Sequence, residues 1–318
     1  MKNGKITIIG DGAVGSSLAF SLLKENFLSE IAIIDYNKQK AEGDVLDLVQ
    51  GLPFVTPKII KVGDYKDVLD SHVVVITAGV SQKEGETRIE LLKRNLLVFD
   101  SIINSLRPYI HEHLIVLVVS NPVDILTYYT YKKLPLPAKQ IIGSGTVLDT
   151  ARLKSLLAEE YNIDSRNIHT YVLGEHGDSE VSGFSVTSIG GLSIESFCNK
   201  CRNCKGEECE HLKQIHNSVK NAAYEIINKK GATYYAVALA VTKILKTIIG
   251  NTNSILTVSS LVNFPHYDDE NKLYFSLPAI VNKDGVREVL KLKYSKKEAD
   301  NITSSFEKLK QIIDELNI

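Results

Sequence analysis

Apolar residues are distributed along this chain in two rhythms, and their alternation predicts the fold. Short apolar runs at 6–9, 31–34, 59–62, 73–77, 114–119 and 140–142 carry the signature of buried strands. Most are separated by stretches with helical spacing, such as 38–49. Strand and helix in alternation predict an α/β fold, a doubly wound parallel sheet with ligands held outside the carboxyl ends of its strands. From Asp149 the rhythm changes. A helix is followed by β runs at 168–173 and 181–189, long helices at 212–230 and 234–249, further strands and a closing helix at 296–316, which read as a mixed α/β domain. The chain therefore divides into a first domain over residues 1–146 and a second over 147–318, with no proline-rich or serine-rich linker between them.

The first run leads straight into Gly10-Asp11-Gly12-Ala13-Val14-Gly15 and a helical pattern, and the next run ends at Asp35. Glycines at these positions let the chain turn tightly, approach a pyrophosphate closely and pack helix on strand, while N–H groups at the helix N-terminus face the phosphates. An acid about twenty residues past the last glycine is placed to accept hydrogen bonds from an adenosine ribose diol. It would repel a 2′-phosphate, so NAD is expected in preference to NADP. The same topology brings Asp35, Ala78-Gly79 and Ser120-Asn121 to one cleft.

Charge narrows the partners. With 318 residues, a formal net charge of −1 and a pI near 6.7, the chain offers neither a basic field for nucleic acid nor a polybasic anchor for a membrane. A small-molecule partner is expected. No apolar run approaches the roughly eighteen residues needed to span a bilayer, and Met1-Lys2-Asn3-Gly4 leads directly into a strand, so a cytoplasmic location is expected.

The candidate chemistry sits after the strands. Residues 80–87 form a polar, glycine-containing stretch where a lid belongs, and Thr87 and Glu90 have capping-box spacing, which puts Arg88 in the first turn of a helix. A cation there opposes the helix dipole, leaving two readings: a solvated surface arginine, or one that swings in to polarise a substrate carbonyl. Asp149 and Arg152, three apart on the helix after Gly143-Ser-Gly-Thr146, share a face. Arg152 could clamp a carboxylate bidentately or only pair with Asp149, and Asp149 could serve as a cap at Thr146-x-x-Asp149 spacing. His176 lies in the glycine-flanked turn Leu173-Gly-Glu-His-Gly-Asp178. A lone histidine is ordinarily structural, but a nicotinamide enzyme oxidising an alcohol needs one group that exchanges a proton near neutral pH, and a buried carboxylate such as Asp149 would fix its tautomer.

The motifs GDGAVG, AGVSQKEGETR, VSNPVD, GSGTVLDTAR, LGEHGDSE and KGATYY, in this order and spacing, resemble the lactate/malate dehydrogenase family, and within it the NAD-dependent L-lactate dehydrogenases of bacteria. The resemblance covers nearly the whole chain. It implies a Rossmann-type domain followed by a catalytic α/β domain, interconversion of pyruvate and L-lactate with NAD, and a homotetramer. By motif it implies His176 as proton donor and acceptor, Asp149 as its orienting partner, Arg152 as carboxylate clamp and Arg88 as the lid arginine. It further implies Asn121, Asp124 and Thr233 at the substrate. Gly10, Gly12, Val14, Gly15, Asp35, Lys40, Tyr65, Gly79, Val80, Ser101, Val119, Ser120, Asn121 and Ser144 are implied around the cofactor. Gln82 is implied to face the variable end of the substrate, where malate dehydrogenases carry arginine; a second carboxylate buried against a neutral glutamine costs several kcal/mol, which favours a methyl group. Other 2-hydroxyacid dehydrogenases, acting on malate or 2-hydroxyisocaproate, are the nearest rivals.

Two features add to this. In many bacterial members fructose 1,6-bisphosphate activates through an arginine two positions after the clamp and a histidine before the catalytic turn; here Lys154 and His169 stand there, and lysine lacks the bidentate fork. Cys198, Cys201, Cys204 and Cys209, followed by His211, gather every cysteine into one polar stretch. They read either as a structural zinc site or as free surface thiols, and the first of these readings keeps open a metal- or redox-responsive binding protein. The family chemistry itself uses no metal.

Overall fold

The computed structural model describes residues 4–80, 85–197, 209–265, 271–316 and 318, with Arg88 described by its backbone. The six expected runs form β1 (Gly4–Ile9), β2 (Leu28–Ile34), β3 (Ile59–Val62), β4 (Val73–Ile76), β5 (Ile115–Val118) and β6 (Ile141–Gly143). They pair in parallel in the order β6-β5-β4-β1-β2-β3. Connecting them are α1 (Ala13–Leu23), α2 (Lys38–Gln50), α3 (Arg88–Leu106) and α4 (Val123–Lys133), and α5 (Val147–Tyr161) follows β6.

The apolar runs are continuous because both faces of the sheet are covered. Ile9, Val74, Ile76, Val116 and Val118 pack with Phe99, Ile103 and Leu126 of α3 and α4. Their neighbours Ile6, Ile8, Val73, Val75, Ile115 and Leu117 point the other way, onto Leu18 and Leu22 of α1. Burying each such side chain contributes about 1.5–3 kcal/mol relative to leaving it exposed. A polar residue anywhere in β4 or β5 would therefore be costly.

The second half supplies β7 (Ile168–His169), β8 (Val172–Leu173), β9 (Val181–Ser182), β10 (Ser188–Ile189), β11 (Leu192–Ser193), α6 (Ile194–Phe197), α7 (Glu210–Lys230) and α8 (Tyr235–Ile249). After these come β12 (Ser254–Leu256), β13 (Ser259–Val262), β14 (Leu273–Ser276), β15 (Ala279–Asn282), β16 (Gly285–Val289) and α9 (Lys296–Leu316). The β runs expected at 168–173 and 181–189 are each interrupted. Between β9 and β10 the chain makes a single 3-10 turn, Phe184–Val186, closed by Val186 N and the Thr187 hydroxyl donating to Gly183 O at 3.3 and 2.8 Å. Local hydroxyl bonds of this kind compete with a strand ladder.

The sheet does not stop at β6. β13 runs antiparallel to β6, pairing Ser259 with Gly143, and β14 runs antiparallel to β13, giving eight strands that cross from the first half into the second. Among the described residues no helix is long and apolar enough to cross a membrane.

Candidate active site

The carboxyl ends of the parallel strands line one cleft. Gly10 leaves β1 with φ +105°, and a Cβ there would come within 2.4 Å of Ala78 N. A Cβ on Gly15 would stand 1.9 Å from Gly10 O, so α1 reaches β1 only because that position is glycine. Gly12 differs: a Cβ on it would meet nothing within 4 Å, and as N-cap it offers no side-chain bond to the first N–H groups of α1. Open space before an uncapped helix N-terminus suits a pyrophosphate. Asp35 accepts from Asp11 N at 2.6 Å and Asn37 N at 2.8 Å, which fixes its carboxylate beside that space. These residues fit a dinucleotide. Lys40 pairs with Asp44 and with Asp11, whose carboxyl burial and the neighbouring Asp44 push up to about 6.

The other rims are tied together. Ser120 donates to Ala78 O at 2.6 Å, Val80 N donates to Asn95 Oδ1 at 2.9 Å, and Ser144 N donates to Val118 O at 2.8 Å, joining the ends of β4, β5 and β6. Val119 and Ser144 are buried, Tyr65 and Thr233 half-buried, and Gly79, Asn121 and Ser101 exposed.

His176 and Asp149 meet across this cleft. Thr146 does not cap α5; its hydroxyl donates to Val172 O, so the capping reading of Asp149 falls away. Asp149, only 1% exposed, accepts instead from His176 Nδ1 at 2.7 Å and Arg152 Nη1 at 2.7 Å. Burial opposes ionisation of Asp149, but the His176 and Arg152 charges outweigh it and hold the carboxyl below its usual range. Burial likewise pulls His176 down, yet Asp149, then Asp124 and Glu180, raise it to about 9. The imidazole is thus kept protonated at neutral pH, with Nδ1 engaged and Nε2 as the remaining ring nitrogen.

Four anchors hold the turn that carries His176. Gly174, at φ +101°, exchanges hydrogen bonds with Ser276 of β14 at 2.9 and 3.1 Å. Glu175 N donates to Ser305 Oγ of α9 at 3.1 Å, and the Ser179 hydroxyl lies 2.8 Å from the same oxygen. His176 N donates to Asp124 Oδ2 of α4 at 2.8 Å. Asp124, which the resemblance implies at the substrate, is the acceptor that holds this turn from α4. It is 2% exposed with its second oxygen taken by Ser259, so it braces the turn from behind; burial, partly offset by these two donors, raises its carboxyl to about 7.

Three residues with roles in this arrangement, Glu180, Ser259 and Ser305, were not singled out from sequence. Glu180 stood inside a quoted motif, but nothing local signalled that it is buried against Asp149 and His176. α3 starts at Arg88 with both halves of the Thr87–Glu90 capping box formed, as expected; Gln82 lies outside the described residues. So do Cys198, Cys201 and Cys204. Cys209 is fully buried against Leu153, Leu157 and Leu212, which removes it from the surface-thiol reading, and His211 Nε2 lies 3.2 Å from Glu160.

A dinucleotide-binding fold with a histidine–aspartate–arginine chain beside it defines a class, the nicotinamide-dependent oxidoreductases that act on a hydroxyl or carbonyl group. Comparison with known proteins narrows it. The family models for the lactate/malate dehydrogenase NAD binding domain and the lactate/malate dehydrogenase alpha/beta C-terminal domain match residues 4–143 and 146–317, and the chain belongs to that family. It is 50% identical to the L-lactate dehydrogenase of Acetivibrio thermocellus over 314 residues, 99% of this chain and 98% of the relative. It is 49% identical to L-lactate dehydrogenase 1 of Clostridium acetobutylicum, with 99% of each covered. Among solved structures it superposes on MGS-M5, a lactate dehydrogenase from a Medee basin deep-sea metagenome library, with a TM-score of 0.92 and 42% identity over the full length of both. The minor L-lactate dehydrogenase of Enterococcus mundtii in its ligands-bound form matches with a TM-score of 0.91 and 38% identity over 99% of this chain and 98% of that one.

Proposed function

We propose that this chain is an NAD-dependent L-lactate dehydrogenase, interconverting pyruvate and L-lactate, with residues 1–146 holding the cofactor and 147–318 supplying the acid–base chemistry. The observation that carries the reading is the hydrogen-bonded chain from His176 through Asp149 to Arg152, set in the turn after β8 and the first turns of α5. When bound, NAD takes up or gives the hydride. The remaining work falls to side chains. In pyruvate reduction His176 Nε2 gives its proton to the carbonyl oxygen, and Asp149 at Nδ1 stabilises the imidazolium until it does. Arg152 presents its guanidinium fork to the substrate carboxylate, while Arg88 and Asn121 polarise the carbonyl. Thr233 and Gln82 line the methyl end. Gly10, Gly12 and Gly15 with Val14, Asp35, Lys40, Tyr65, Gly79, Val80, Ser101, Val119, Ser120, Asn121 and Ser144 surround the cofactor in this reading.

Further assignments rest on it. Fructose 1,6-bisphosphate would bind at Lys154 and His169. Support comes from the charge there: burial and then the like charge of Lys243 lower Lys154, and an anion would relieve that repulsion. Exposed Phe20, Leu46, Phe54, Tyr235 and Leu239 support packing between subunits, for which we propose a homotetramer in the cytoplasm. The decisive experiment is NADH oxidation with pyruvate against oxaloacetate, with and without fructose 1,6-bisphosphate, on wild type and Gln82→Arg. Strong preference for pyruvate, shifted toward oxaloacetate by arginine, is the expected result; equal or better use of oxaloacetate by wild type would reject the assignment in favour of malate or broad specificity.

A further inference from the structure

His176 and Asp149 are accompanied by a third titratable group that the proposed chemistry does not use. Glu180 lies four residues beyond His176, is 5% exposed, and has a carboxylate oxygen within 4.8 Å of ligating atoms of both Asp149 and His176. Its Oε1 is buried and has no hydrogen-bond partner. On its far side is a cavity of about 230 Å³ between the catalytic turn, α7 and α9, lined by Asp178, His216, Lys220, Ser305 and Lys308. The carboxyl therefore stands between the proton-transfer pair and a polar cavity behind it.

A cation could be imagined among the three groups, but Arg152 sits 2.7 Å from Asp149 and already supplies positive charge there. A proton fits better than a metal. A buried carboxylate oxygen without a donor is costly as an anion, so the carboxyl is kept neutral until its surroundings favour charge. Burial, then Asp149, push Glu180 up to about 8, against the pull of His176, Arg152 and Lys220. His216 is held neutral near physiological pH, as burial and Lys220 lower it to about 4, so the positive charges that face Glu180 from α5, the turn, α7 and α9 are, among the described residues, Arg152, His176, Lys220 and Lys308.

We propose that Glu180 is a positioning residue for proton transfer: a second carboxyl behind the His176–Asp149 pair that ionises as pH rises and then holds the proton on the His176 imidazole. No bond to carbon is involved; the step is loss of one proton from Glu180 to solvent, after which the new anion favours the imidazolium. Two unit charges about 5 Å apart at intermediate dielectric interact by more than one pKa unit, and solvent admitted by the cavity reduces this to about one. The inference rests on the proposed function for its kinetic consequence, though not for its electrostatic one.

The test is a pair of measurements on wild type, Glu180→Gln and Glu180→Asp. The first is titration of the His176 ring by carbon-13 NMR in the cofactor-free protein; the second is the pH dependence of kcat/KM for pyruvate from pH 6 to 10. In Glu180→Gln the His176 midpoint and the alkaline limb of kcat/KM are both expected about one pH unit below wild type, so that the ratio of the two enzymes climbs toward tenfold as pH rises, while Glu180→Asp recovers part of the difference. The wild-type titration alone should be broader than a single-site curve, since two interacting groups share it. Superimposable titrations of wild type and Glu180→Gln overturn the proposal, as does a single-site wild-type curve if the variant fails to fold. A chain that never reduces pyruvate would reject the lactate assignment and leave the NMR comparison to decide the role of Glu180 by itself.

Discussion

Replacing Asp149 by asparagine removes one charge from the centre of the site and almost nothing else. His176 is lifted from its usual 6.5 to about 9, and Asp149 is the largest of the influences that lift it. The rise corresponds to about 3 kcal/mol of preference for the charged ring. Without the carboxylate, burial, the largest single influence, is opposed by the weaker pull of Asp124 and Glu180, and the midpoint is expected to fall to about 6.5 or below. At pH 7.5 the protonated fraction then drops from nearly complete to under about a tenth, which costs about tenfold in pyruvate reduction. The larger loss comes from the tautomer: an amide at Nδ1 can donate where the carboxylate only accepted, and the equivalent change in a catalytic triad costs about 10⁴ in kcat. Together these predict a fall of about 10⁴–10⁵ in kcat/KM for Asp149→Asn. Stability should suffer far less, because the His176 ring can become neutral and the Arg152 side chain is 13% exposed. Steady-state rates with pyruvate, the His176 titration and a thermal melt read out all three. A variant that keeps kcat/KM within tenfold of wild type, or a His176 midpoint near 9, would refute the account of how Asp149 works.

Other perturbations separate the remaining parts. Gly15→Ala places a Cβ 1.9 Å from Gly10 O and should lower the melting temperature as well as NADH binding, whereas Gly12→Ala, whose Cβ meets open space, should weaken NADH binding at unchanged stability; fluorescence titration and calorimetry together distinguish them. Because the folded pKa of His176 is raised, the proton needed for pyruvate reduction is present throughout neutral pH and lost near 9. Pyruvate kcat/KM should therefore fall, and lactate oxidation rise, through that region, and a reductive limb near 6.5 would contradict the geometry. Asp124→Ala leaves His176 N and the Ser259 hydroxyl without their buried acceptor, and should cost about 2–3 kcal/mol in denaturant unfolding and more than tenfold in kcat, with NADH affinity retained.

What sequence made legible follows from which interactions are local. The central strands of the first half read correctly because they are buried on both faces, so apolar runs needed no knowledge of partners, while β3 at the sheet edge keeps Ile59 exposed. Arg88 could be placed at a helix start because a capping box is complete within four residues. The pairing of Asp149 with Arg152 was visible as one of two readings, and the structure shows it made through one guanidinium nitrogen, Nη1. The partners of Asp124 were out of reach because VSNPVD places it beside Asn121 in sequence, while the fold turns it inward, toward Ser259, 135 residues away. Glu180, Ser305 and the β13–β14 extension were invisible for the same reason. Each acquires its partner across more than a hundred residues or through burial that no local pattern encodes.

That long-range pairing also constrains how the site can move. β13 belongs to the second half by sequence but hydrogen-bonds to β6 of the first, and its Ser259 both faces Gly143 in the ladder and donates to Asp124 under the catalytic turn. Gly174 is fastened to Ser276 on the next strand, β14. Opening the two halves as rigid bodies would break these bonds and expose apolar side chains of the sheet, including Tyr274 and Phe275, which are fully buried. A hinge that displaces His176 relative to the strand ends is thereby disfavoured. The acid–base pair is preorganised by bonds that run through the shared sheet.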